Sequence, residues 1–103
     1  MKIIKCLSEK IESELKDAED YISLAMRWKQ DEPVAAELFY NLSTEEMNHV
    51  DKLHKVVSDL IMDYRQKQGE PPKDMLTLYT YLHDKHIGEA TQIKVKQGMY
   101  KAE

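Results

Sequence analysis

The three prolines of this 103-residue chain are confined to two short stretches, which leave three long proline-free segments between and around them. The first stretch is Gln30-Asp31-Glu32-Pro33. Here Asp31 or Glu32 stands where an N-cap or first-turn acid belongs, and Pro33 is tolerated in the first turn of a helix restarting at once. The second is Gly69-Glu70-Pro71-Pro72, a left-handed C-terminal glycine followed by prolines that cannot continue a helix. The spacing predicts helices over about 4–29, 33–68 and 74–100, the third weakening at Gly88 and Gly98. Charged residues are 33% of the chain and aliphatic residues fall at helical intervals. The expected fold class is therefore all-α: a long antiparallel hairpin plus a third helix, within one domain spanning 1–103.

Several functions are disfavoured at this level. The net charge is -4, and no basic stripe interleaved with aromatics suggests nucleic acid. No run reaches the roughly 20 apolar residues of a membrane span, and the segment before Ser8 is short for a signal-peptide core. A cytoplasmic protein is expected. Cys6, the single cysteine, falls on the first helical stripe and reads as a reduced, half-buried thiol without a catalytic role.

In the second segment Ala35, Phe39, Leu42, Glu46, His49, Leu53, Val56 and Leu60 recur at steps of four and three, the period of one helical face. Glu46 and His49 thus interrupt an apolar seam. A carboxylate withdrawn from water costs several kcal/mol unless it is paired or metal-bound, so partners are expected at the same depth. The first helix carries Leu7, Ile11, Glu14, Ala18, Tyr21, Ala25 and Trp28 on one face. In a hairpin centred near Asp31, a residue 17 positions before the turn meets one 17 after it, about 25 Å along the helices. Glu14 is then level with Asn48 and joins Glu46 and His49. The same reflection about Glu70 sets His49 level with Thr91, so Glu89 approaches the cluster if the third helix folds back.

Glu14, Glu46 and His49 under-coordinate a metal pair, whereas two copies about a two-fold axis supply four carboxylates and two imidazoles. That is the donor set of a di-iron or di-manganese carboxylate bundle. A hydrogen-bonded Glu46–His49 pair without metal is the alternative. His86 and Glu89 form a further candidate ligand pair on the third helix; His83 and Glu89 point about 120° apart and cannot share a site. His54, off the stripe and next to Lys55, reads as surface.

These residues resemble the ferritin-like superfamily, more narrowly its half-bundle members such as encapsulated ferritins and the half-repeat of rubrerythrin-type proteins. The resemblance covers about Ile11 to Val57 and rests on Glu14, Tyr21, the short turn and Glu46-x-x-His49. It implies that Glu14 is the helix-one ligand, Glu46 a bridging ligand, His49 a terminal ligand and Tyr21 a nearby tyrosine. The implied activity is binding of two irons, or manganese, and oxidation of Fe(II) with dioxygen or peroxide, with an unidentified electron donor. One Glu-x-x-His instead of two implies that dimerisation or larger homo-oligomerisation completes a four-helix bundle with the site between chains. Two departures qualify what the resemblance implies: Gly98-Met99-Tyr100-Lys101-Ala102-Glu103 does not read as a shell-docking peptide, and without rubredoxin-type cysteines a complete rubrerythrin electron-transfer chain is not expected. The rival expectation is a non-enzymatic helical module that binds a protein partner through its open seam.

Overall fold

The computed structural model describes residues 2–102, which form α1 (Lys2–Trp28), α2 (Pro33–Gln68) and α3 (Lys73–Ala102), with no strand among them. At 1.5 Å per residue the 36 residues of α2 set the long axis of a 56 × 18 × 17 Å molecule. The helix breaks fall where the breakers lie. Glu32 is the N-cap of α2 with Pro33 in the first turn, although the Glu32 carboxylate makes no cap bond; the connection is held by backbone bonds from Glu32 N–H to the Trp28 carbonyl (2.8 Å) and from Ala36 N–H to the Glu32 carbonyl (2.9 Å). Gly69 adopts φ +82° and its N–H reaches the Arg65 carbonyl, a conformation that favours a residue without Cβ. α3 runs unbroken through Gly88 and Gly98. No described helix is long and apolar enough to cross a membrane.

α3 folds back along the hairpin and closes one of its two grooves. One core layer joins Ile11, Leu15 and Ala18 of α1 to Met47 and Val50 of α2 and Ile93 of α3. Nearer the α1–α2 turn a second joins Ile22, Ala25, Ala36 and Tyr100. Between these layers the buried Ser43 hydroxyl donates to the Ala18 carbonyl (2.8 Å) and accepts from the Gln97 amide (2.9 Å), so a single oxygen ties all three helices. At the turn end, Tyr100 stacks on Tyr40 at 5.0 Å, its hydroxyl donates to Glu37, and its carbonyl accepts from Lys29. Salt bridges from Lys85 to Glu12 (2.7 Å) and from Lys96 to Glu19 run along the α1–α3 edge.

The buried stripe of α2 lies one residue later than the periodicity predicts. Ala36, Ser43, Met47 and Val50 are buried, while Ala35, Phe39, Leu42 and Glu46 are half-buried and His49 and Val56 exposed. One residue is a rotation of about 100°. α2 is apolar on two adjacent stripes, and the stripe with the larger side chains is the one α3 leaves open. α1 shows the same division: Ile4, Ile11, Leu15, Ala18, Ile22 and Ala25 are buried, and Leu7, Glu14, Tyr21 and Trp28 half-buried. Cys6, expected on that stripe, is exposed instead, because the α1 stripe passes through Ile4 and Leu7 and leaves position 6 to its side.

Replacing Ser43 with Ala should destabilise the protein by about 1–3 kcal/mol by leaving the Gln97 amide without its acceptor. The check is a lowered urea midpoint at unchanged slope.

Candidate metal centre

On the open groove, Glu14 projects from α1 towards Glu46 and His49 of α2. The ligating atoms of these three residues lie within 4.8 Å of one another, and among the described residues they are the one such trio of His, Cys, Asp and Glu side chains. The two α2 donors are three residues apart, which places them on one side of the helix. His49 Nδ1 is 3.7 Å from Glu14 Oε2 and 3.6 Å from Glu46 Oε2. Both distances exceed hydrogen-bonding reach, so these are charge neighbours rather than bonds. The side chains of Glu14 and Glu46 are 15% and 18% exposed, against 53% for His49. The carboxylates thus sit below the surface and the imidazole closes the site from outside.

The donor set is incomplete as it stands. Glu46 Oε2 is fully buried and has no hydrogen-bond partner, although buried carboxylate oxygens in proteins are almost always satisfied. Lys10, the nearest cation of α1, is 3.9 Å from the other oxygen of Glu14 and is itself largely exposed. A hard, oxygen-preferring cation with an imidazole ligand suits two carboxylates and one histidine, and the orphaned oxygen is where such an ion would bind. The residues fit a metal.

The other predicted site residues lie elsewhere. Tyr21, nearly two turns along α1 from Glu14, stacks on Phe39 at 6.4 Å and packs the open groove rather than bonding the donors. Glu89 lies on the far side of α1, in a shallow pocket with Glu12, Lys16 and Glu19. His86 is buried in the covered groove, so α3 brings neither residue to the Glu14–Glu46–His49 trio. His54, expected at the surface, is half-buried, and its ring packs edge-on against those of His83 and His86. The stripe rule missed this because His54 belongs to the second apolar stripe of α2, the one beneath α3. The available signal was the step of four and three through Met47, Val50, His54, Val57 and Ile61.

A family model for rubrerythrin matches residues 5–103. The chain belongs to the rubrerythrin family. No curated protein and no solved structure matches it. Iron binding is typical of rubrerythrins, and the carboxylate–histidine trio is a candidate metal site of matching chemistry.

Two outcomes follow. Glu46→Leu removes a buried, unpartnered oxygen, so in the presence of chelator the variant should be more stable than the parent by about 1–3 kcal/mol, measured by urea unfolding. Burial, reinforced by neighbouring histidines, pushes the pKa values of His54 and His86 down. As pH falls below about 6.5 the unfolded chain takes up protons that the folded chain resists. Stability in chelator should therefore be full well above that pH and decline as pH falls through it, less steeply in His86→Leu.

Proposed function

We propose that this rubrerythrin-family chain is a half-bundle di-iron carboxylate protein whose site is completed by a second copy. The observation that carries the reading is the buried Glu46 oxygen without a partner, beside Glu14 and His49. One copy offers two carboxylates and one imidazole; two copies about a two-fold axis through the open groove offer four and two, enough for a pair of ions. The half-buried stripe of Leu7, Tyr21, Trp28, Phe39, Leu42 and Leu53 on either side of the donors supplies the apolar surface such pairing would cover. Glu46, the donor with the orphaned oxygen, suits a bridging position. Glu14 suits a carboxylate ligand from the facing helix, and His49 a terminal ligand at the rim.

A bound iron pair would supply the oxidation of Fe(II) by dioxygen or peroxide; manganese is accommodated by the same donors. The chain's own part is to hold the carboxylates below the surface, where the surrounding stripe limits water, and to admit the ion past the exposed imidazole. A cytoplasmic setting, where a surface thiol such as Cys6 stays reduced, accords with this reading.

Protein loaded anaerobically with Fe(II) and then aerated should show a stoichiometric rise in near-ultraviolet absorbance and a solution mass of at least a dimer. Glu46→Ala should show no such rise. Iron uptake no greater than that of Glu46→Ala would overturn the reading, and a metal-free dimer would favour a helical interaction module in its place.

A further inference from the structure

A second group of donors lies on the opposite side of α2, beneath α3. His54 comes from α2, and His83 and His86 come from adjacent turns of α3, three residues apart and so on one face. The His54 ring centroid is 5.5 Å from that of His83 and 6.0 Å from that of His86, both edge-on at 84° and 74°. All three line a cavity of about 360 Å³ whose walls include Ile11, Val57 and Ile61. His86 is only 2% exposed, and its Nε2 has no hydrogen-bond partner.

Three imidazoles are a poor choice for filling an apolar groove. The buried His86 ring nitrogen without a partner carries a desolvation cost that a leucine of similar size would not. Nor does the surrounding polar network account for them. Glu12, whose charge acts on His86, is bonded to Lys85 at 2.7 Å, and Asp51 acts on His54 only as a nearby charge. What neutral imidazoles bind well is a divalent transition ion.

The geometry points to a second metal site: we propose that His54, His83 and His86 together bind one divalent ion of the imidazole-preferring class, with zinc as the reference, leaving a fourth position to water. With Zn–N bonds of about 2.0–2.1 Å, two imidazoles on one tetrahedral ion have ring centroids about 5 Å apart. The observed separations from His54 are slightly wider, and the three nitrogens are spread beyond the donor atoms of the carboxylate trio. Closing them takes side-chain rotations, which the exposed His83 and the half-buried His54 are the least hindered to make. The ion would fasten α3 to α2 across the cavity. It would be independent of the carboxylate centre, since His54 is five residues from His49 and on the other stripe.

The test uses the full-length Glu46→Ala variant, in which the carboxylate centre is disabled. Titrated with zinc by calorimetry, and with cobalt(II) by visible absorbance as a spectroscopic stand-in, it should bind one ion per chain. Adding His86→Ala or His83→Ala should weaken binding at least tenfold; position 83 is exposed, so that variant keeps the fold. In the unsubstituted protein, zinc should shift the imidazole nitrogen resonances of His54, His83 and His86 together. Absence of binding to Glu46→Ala, or equal binding in His83→Ala with those three resonances unmoved, would overturn the proposal.

Discussion

The rotational setting of α2 governs everything else in this molecule, and Ser43 is its pivot. Its hydroxyl is buried where α1, α2 and α3 meet, donating to Ala18 and accepting from Gln97. A buried hydroxyl in a helix interface tolerates little rotation, because turning it away leaves the hydroxyl without its acceptor and the Gln97 amide without its own. With Ser43 fixed inward, Met47 and Val50 must enter the core, and Glu46, one residue before Met47, must emerge on the adjoining flank. Glu14 stands in the same relation to the buried Leu15. The two carboxylates therefore face each other across the open groove as a consequence of packing on the covered one.

Backbone-level signals were the most legible part of the sequence. Pro33, Pro71 and Pro72 cannot occupy a helix interior and Gly69 takes a positive φ, so the breaks follow from covalent geometry and survive any tertiary arrangement. The meeting of Glu14 with Glu46 and His49 was legible for a related reason: it depends on the position of the turn and on helical rise, both fixed locally. The phase of α2 was not. Phe39, Leu42 and Leu53 outweigh Ala36 and Ser43 in any hydrophobicity pattern, yet the small residues are the ones that α1 and α3 approach closely. Close helix packing selects for size, and a search for apolar bulk selects the wrong stripe. The histidine cluster was hidden likewise, because it needs a contact between α2 and α3 that no periodicity within one helix encodes.

Among the described residues two side-chain polar atoms are buried without hydrogen-bond partners, Glu46 Oε2 of α2 and His86 Nε2 of α3, and they lie on opposite sides of α2. In a small domain whose net stability is on the order of 5–15 kcal/mol, each is an appreciable fraction of the total. Both occur beside other metal-competent side chains and neither lies in the aliphatic layers. Such concentration of unfavourable terms at donor clusters is what separates a binding site from an imperfect core.

The clamp around Tyr100 gives α3 two ends of unequal firmness. At its C-terminal end the helix is gripped by Lys29, Glu37 and Tyr40, all within or just beyond the α1–α2 turn. Its N-terminal half spans a cavity instead of a filled layer. Local opening of a helix begins where buried contacts are fewest, so amide protection along α3 rises from the Pro72 end towards Tyr100. The histidine cavity therefore lies beneath the less firmly held half of α3, the half joined to α2 by the short Gly69–Pro72 connection.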